Sequence, residues 1–293
     1  MPNYVTGGIT TAYIRNFERE FKRAYGEKVA NLSKFIDFRS GRVGEDDRFG
    51  LSGKVHAHDD ILGVRTQLES KQYKTLVVPT VNREVAVPIY WQTEKKTNFD
   101  QASDNAESVA DAVERDITQA VIDAMNDGYD AVNHYIDLTS QVLSGAVLKE
   151  LAALMNKAGI PKKDRHIVAS ADSLMNLLDD SEFVSILTAM NKPLESGSVD
   201  GAQWLGFTLH ELPDMEEGGM PDYANGGTSV ANTSRFFAFH KYAVVGFEND
   251  GSRRVEVYED KPNKCNVHRA LFDRGIGVLD QDGLWAVDVL TQA

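Results

Sequence analysis

The chain has 293 residues, 42% of them hydrophobic and 26% charged, and carries a net charge of −13. That length holds about two ordinary domains with a sizeable core, and the single cysteine, Cys265, excludes an internal disulfide and zinc sites of the four-cysteine or two-cysteine, two-histidine kind. The acidic balance argues against a nucleic-acid binder, which needs a basic footprint, but leaves open a container whose acidic inner wall keeps DNA from sticking.

The opening MPNYVTGGIT has neither the basic nor the apolar region of a secretory signal, and no stretch reaches the roughly 18 apolar residues that span a bilayer. Neither standard secretion nor a membrane partner is expected. In ITTAYIRNFEREFKRAY, residues 9–25, Ile9, Tyr13, Phe17, Phe21 and Tyr25 recur at every fourth position. This predicts a helix with an aromatic stripe, which either faces the core of its own domain or docks on a neighbouring subunit. Residues 26–53, with DFRSGRVGEDDRFGLSG at their end, are rich in glycine and charge and read as an irregular extended segment. YKTLVVPTVNREVAVPIYW (73–91) gives two extended runs around a turn at Asn82, with Val85, Val87 and Ile89 on one face. Pro79 and Pro88 lack an N–H and favour edge strands. A two-stranded ribbon is marginal alone and needs a surface to lie on, in its own chain or another.

The strongest periodic element is 103–138. Ser103 is placed as an N-cap, followed by Asp104 and Glu107, and Val109, Val113, Ile117, Val121 and Ala124 keep a period near 3.6. Val132, Tyr135 and Ile136 extend the apolar set. Unbroken, about 36 residues would span roughly 54 Å, unless Gly128 interrupts them. The remaining surface carries Asp104, Glu107, Asp111, Glu114, Asp116, Asp123, Asp127 and Asp130, which reads either as a solvated face or as a wall turned toward DNA.

A second helix is expected at 144–158, stopped by Gly159 and Pro161. RHIVASADSLMNLLDD (165–180) reads as a strand over 166–169 and a helix capped by Ser170 or Asp172, prolonged through Phe183, Ile186, Leu187 and Met190. AQWLGFTLHELPDM (202–215) reads as one strand with a turn at Pro213, followed by a flexible glycine-rich loop through Gly218, Gly219, Gly226 and Gly227. RFFAFHKYAVVGF (235–247) is core. In 253–290, Val255 and Val257 face one way, Lys261–Lys264 form a loop, Asp282 and Gly283 a tight turn, and Trp285, Val287 and Val289 share one face of the last strand.

Chemistry finds no nucleus. HAHDD offers His56, His58, Asp59 and Asp60 as metal ligands, yet the same sequence serves as a polar loop. His134, His166, His210, His240 and His268 show no metal-binding spacing. Cys265 and His268 fall on opposite faces of a strand. Ser170 and Ser173 are helix-start residues, no G-x-S-x-G elbow occurs, and GRVGEDDRFG has acids where a phosphate loop needs lysine. No catalytic, cofactor-binding or metal-binding residue is assigned, and no cofactor is expected.

Two stretches carry a resemblance. RHIVASADSLMNLLDDSEFVS (165–185) with GAQWLGFTLHELPDM (201–215), and the closing FDRGIGVLDQDGLWAVDV, resemble the major capsid proteins of tailed double-stranded-DNA bacteriophages. The similarity in layout covers nearly the whole chain. It implies an α+β fold with an N-terminal arm (1–53), an extended beta loop (54–100), a peripheral domain with a long spine helix (101–163), an axial domain (164–250) and a return to the peripheral sheet (251–293). It further implies a non-enzymatic subunit that self-assembles, as pentamers and hexamers, into an icosahedral shell around the genome without sequence-specific binding. A scaffolding protein, a portal and a cement protein are the implied partners, with assembly in the host cytoplasm and residence in the virion. The arm begins almost at once, which implies a separate scaffold or an already mature form. Two alternatives stay open: an encapsulating compartment of the same fold, and a metal-dependent cytosolic α/β enzyme built on His56 and His58.

Overall fold

A computed structural model describes residues 31–53, 70–94, 101–181, 183–185, 200–213, 218–220 and 232–291. The expected helix at 9–25, the HAHDD cluster, Ile186, Leu187, Met190 and most of the glycine-rich loop lie outside the described residues. In chain order the elements are β1 (Asp37–Arg42), β2 (Asp46–Ser52), β3 (Tyr73–Pro79), β4 (Val81–Tyr90), α1 (Trp91–Glu94), α2 (Gln101–Gly128), β5 (Tyr135–Val142), α3 (Gly145–Lys157), β6 (Arg165–Ser170), α4 (Ala171–Met175), β7 (Gln203–Trp204), β8 (Phe207–Leu212), β9 (Thr233–His240), β10 (Val244–Asn249), β11 (Arg254–Asp260), β12 (Cys265–Val278) and β13 (Leu284–Leu290). The fold is α+β.

Six strands in the order β5-β13-β9-β6-β8-β7 form one sheet. Alternation along its inner strands sends Ile167, Phe236, Trp285 and Val287 to one face, where α3 and α4 supply Leu148, Leu151, Met155 and Leu174. It sends Val168, Phe237, Phe239 and Ala286 to the other, covered by Val121, Ile122 and Met125 of α2 and by Leu32 and Ile36. These strands are apolar on both faces because both faces are covered. The helices follow their local signals. α3 buries Val147, Leu148, Leu151 and Met155 at helical spacing and is followed by Gly159 at φ +76°, the left-handed position that ends helices. α4 starts at Ser170, whose hydroxyl accepts a hydrogen bond from the Ser173 amide at 3.3 Å.

The second sheet runs β1-β10-β12-β11, with β4 on the free side of β12. The 14-residue β12 pairs with β4 over Cys265–Arg274, with β11 over Cys265–Leu271 and with β10 over Gly275–Val278. α2, 28 residues and about 42 Å long, lies over β12 and β4. Val109, Val113 and Ile117 pack there on Ala270, Phe272, Val85 and Val87.

Several expectations need correction. Residues 37–42 and 46–52 are strands rather than an irregular segment, because β10 and β3 supply the backbone partners that their own sequence does not advertise. β3 and β4 do not pair around Asn82. The chain breaks at Thr80, β3 pairs with β2, and β4 with β12. Each of β3 and β4 has one partner strand, as their prolines require. The long helix stops at Gly128, which is pressed so closely on Val278 that a Cβ would lie 2.4 Å from its Cγ2. Asp130 then accepts hydrogen bonds from the Val132 and Asn133 amides, and Tyr135 and Ile136 enter a strand beside β13. Residues 203–212 are a two-stranded hairpin rather than one strand, turning at Leu205 (φ +50°) and Gly206 (φ +90°). The strands of 251–293 divide between the two sheets. β11 and β12 lie under α2, whereas β13 sits between β5 and β9 in the six-stranded sheet, and β10, expected with 164–250, joins β12.

Candidate assembly surfaces

The α2 layer is tied down by charge as well as packing. Asp116, expected on a solvated acidic face, accepts from Arg274 Nε at 2.5 Å and Nη2 at 3.1 Å, and lies 3.4 Å from Arg83 Nε. At its other end α2 joins a buried network. Arg235 on β9 donates twice to Asp288 on β13, Nε to Oδ1 at 2.6 Å and Nη2 to Oδ2 at 2.8 Å. Its Nη1 donates to Asn126 Oδ1 at 2.9 Å and to the Tyr129 hydroxyl oxygen at 3.2 Å, and the Tyr135 hydroxyl donates to Asp288 at 2.8 Å. Burial opposes the charge on Arg235, but the Asp288 bond and charge outweigh it and hold the guanidinium above its ordinary pKa. Burial, with Asp288 adding, pushes the Tyr135 phenol up.

Two surfaces are left without cover in the described chain. β11 pairs with β12 beyond the edge of α2, in a register that sets Val255 opposite Ala270 and Val257 opposite His268. Cross-strand partners share a face, so both valines lie on the helix side of the sheet. There they are 73% and 62% exposed. Between Val255 and α2 runs an open groove of about 230 Å³, lined by apolar Val109, Val113, Ala270 and Phe272 and by charged Glu114, Arg253 and Arg254 among others. The second surface is the β2–β3 ribbon. Phe49, Val78, Leu51 and Leu76 seat its inner face on Val245, Phe247 and Leu279. Gly275 and Gly277 of β12 make room for that seat. A Cβ on Gly277 would come within 3.2 Å of Val78, and one on Gly275 within 2.8 Å of the Pro79 carbonyl oxygen. The ribbon's outer face exposes Tyr73 and Val77.

Of the chemical candidates, His56, His58, Asp59 and Asp60 lie outside the described residues, and among the described residues no three His, Cys, Asp or Glu side chains converge to hold a metal. Cys265 and His268 both sit on β12, three positions apart; Cys265 is buried, and burial raises its thiol pKa. Ser170 and Ser173 start α4 and share their hydroxyl bonds with Ser234. His134 lies edge-on to Trp285, with ring centroids 4.7 Å apart. His166 and His210, which showed no motif, are brought together by the parallel pairing of β6 and β8, their ring nitrogens 3.0 Å apart. The only trace of this in the sequence is that each sits among apolar residues of a strand.

A family model described as "Phage capsid protein" matches residues 9–290. The chain belongs to the phage capsid protein family. This capsid protein also shares its fold with solved shells across essentially full lengths. The head of Helicobacter pylori bacteriophage KHP40 matches with a TM-score of 0.74 at 9% identity, covering 99% of this chain and 100% of that one. The acidic stable capsid of H. pylori bacteriophage KHP30 gives 0.73 at 10%, covering 100% of both. The capsid of Ralstonia phage GP4 gives 0.69 at 14%, covering 100% and 99%. No curated protein matches the chain. The capsid protein is a major shell subunit, self-assembling and located in the virion, and nothing favours the metal-dependent enzyme. Membership of a structural family weighs against enzymatic activity.

Proposed function

We propose that copies of this capsid protein form an icosahedral shell of pentamers and hexamers around double-stranded DNA, without sequence-specific contact. In this reading the shell is built in the host cytoplasm on a separate scaffolding protein, around a portal, and is open to a cement protein. The segment before Asn31 is the arm, with Tyr13, Phe17 and Phe21 as a contact stripe. The β2–β3 ribbon is the extended loop, α2 the spine helix and the six-stranded sheet the axial part. The ribbon of one copy lies over the groove beside α2 in the next. The observation that carries this is the pair of surfaces within one chain: exposed Val255 and Val257 beside an apolar groove, and a ribbon seated on its own body by one face only. Two different patches on identical subunits make a head-to-tail contact, which closes into rings when the rotation allows.

The test is Val255→Asp with Val257→Asp. Both side chains are exposed, so the subunit folds with a stability change within about 0.5 kcal/mol. Sedimentation and negative-stain microscopy are expected to show subunits in place of polyhedral particles. Normal shells from the double variant would refute the contact, and particles that never enclose nucleic acid in infected cells would refute the genome role.

A further inference from the structure

His166 on β6 and His210 on β8 point to the same face of the six-stranded sheet, because His210 is paired with Val168. His166 Nδ1 and His210 Nε2 are 3.0 Å apart. The ring of Phe35 stacks on His210 with centroids 3.8 Å apart and tilts over His166 at 5.3 Å, while Phe239 lies 5.7 Å from His166. Phe35 ends the single turn Leu32–Phe35, and its neighbours Leu32 and Ile36 are buried in the core on that face. The histidine pair is therefore the polar floor under the first described segment of the chain, which continues into β1 at the rim of the other sheet.

A hydrogen bond between two imidazoles uses one proton, one ring donating and the other accepting. A first added proton can go to an outer nitrogen and leave that bond in place. A second must go to the accepting nitrogen. Two N–H groups then face each other across the former bond, on two cations largely shut off from water. We propose that His166 and His210 form an acid-operated latch: when both rings are charged, Phe35 is displaced and residues 31–38 leave the sheet, while the six strands stay paired.

The surroundings set the direction. Asp200 lies 4.0 Å from His210 Nδ1, and Asp164 acts on both His166 and His240. These two carboxylates favour the charged rings. Against them stand burial, His240, Lys241 and Arg165, with exposed Lys34 on the turn itself. Burial dominates and lowers all three histidines, His166 to about 4 with His210 contributing next. The docked form thus binds fewer protons than the released form. Docking is at full strength above the ordinary histidine value near pH 6.5 and is lost as pH falls toward about 4.

Deuterium exchange by mass spectrometry on the full-length protein, at neutral pH and at about pH 4.7 with times scaled for intrinsic exchange, tests the latch. Amides of 32–38 are expected to lose about tenfold or more of their protection in acid while those of β9 and β13 keep theirs. The variant His166→Phe with His210→Phe is expected to hold its protection within about threefold. Equal protection of the native segment at both pH values, an acid loss that persists in the variant, or a loss spread over the whole sheet would each overturn the proposal. Should the variant fail to fold, exchange at the imidazole C2 positions of the native protein decides. Titration of the second of the two rings below about pH 5.5, in step with the segment's release, supports the latch, and titration of both near 6.5 sinks it.

Discussion

Replacing Asp288 by Asn keeps the shape of the side chain and removes one charge from the centre of the body. Asp288 is fully buried and Arg235 nearly so. Oδ1 takes the Arg235 Nε bond, and Oδ2 takes both the Nη2 bond and the Tyr135 hydroxyl. An amide in that place offers one oxygen and one NH2 group, so at least one N–H or O–H donor faces another donor, and the guanidinium loses its counter-charge. Breaking a buried ion pair from one side costs about 3–5 kcal/mol. At roughly 2–4 °C per kcal/mol for chains of 150–250 residues, Tm falls by about 6–20 °C. Near-UV circular dichroism melts of the unassembled subunit, at one scan rate, read this directly. The paired change Arg235→Met with Asp288→Leu removes both charges and is expected to recover most of the loss, since a buried pair exchanged for apolar groups is often neutral. A fall of less than about 2 °C in the single variant, or a double variant no better than the single, would refute the reasoning.

Gly275→Ala places a methyl 2.8 Å from the Pro79 carbonyl oxygen and against the Phe247 ring; the overpacking is expected to cost about 1–3 kcal/mol, and an unchanged melt would show that the ribbon seat is not tight there. Phe49→Ala empties the buried centre of the same seat, at about 3–5 kcal/mol, and removes the ring beneath the Arg39 guanidinium, 4.3 Å away. Limited proteolysis is expected to cut between residues 46 and 79 at least about tenfold faster while the six-stranded sheet survives, whereas an unchanged cleavage pattern would place the ribbon's anchor elsewhere.

What was legible in the sequence was what a single segment decides by itself. The Val147-Leu148-Leu151-Met155 stripe, the Gly159 stop and the loop at Lys261–Lys264 are set by local spacing and by turn chemistry. Trp285, Val287 and Val289 share a face in the structure as their parity requires. Pairing partners were not legible. β4 alternates as a hairpin strand would, but its partner begins 175 residues after Tyr90, at Cys265, and nothing in the alternation chooses between near and far strands. Arg39 has poor strand propensity and is held extended by β10, while the register shifts over Ser40 and Gly41, the latter at φ +77°. Tyr135 and Ile136 continued a helical period that the Asp130 turn had already ended. Leu205 hid the hairpin, since a β-turn with φ above zero is expected at Gly or Asn. The His166–His210 pair depended on register between strands 44 positions apart.

The division between closed body and open surfaces also bears on how the shell would form. Val255 and Val257, fully covered, contribute about 1.5–3 kcal/mol each. Association costs an estimated 4–15 kcal/mol in lost translational and rotational freedom. On the proposed contact, two subunits joined at the groove alone would therefore separate again. A subunit in a closed ring makes the contact twice, once with its groove and once with its ribbon, and cannot leave without breaking both. A ring of n subunits makes n contacts against n − 1 losses of freedom, so closing it adds one contact with no further such loss and favours the ring over the open chain. Such a surface favours steep, concentration-dependent assembly with few dimers, and it keeps each contact weak enough that a misplaced subunit is released before the ring closes around it.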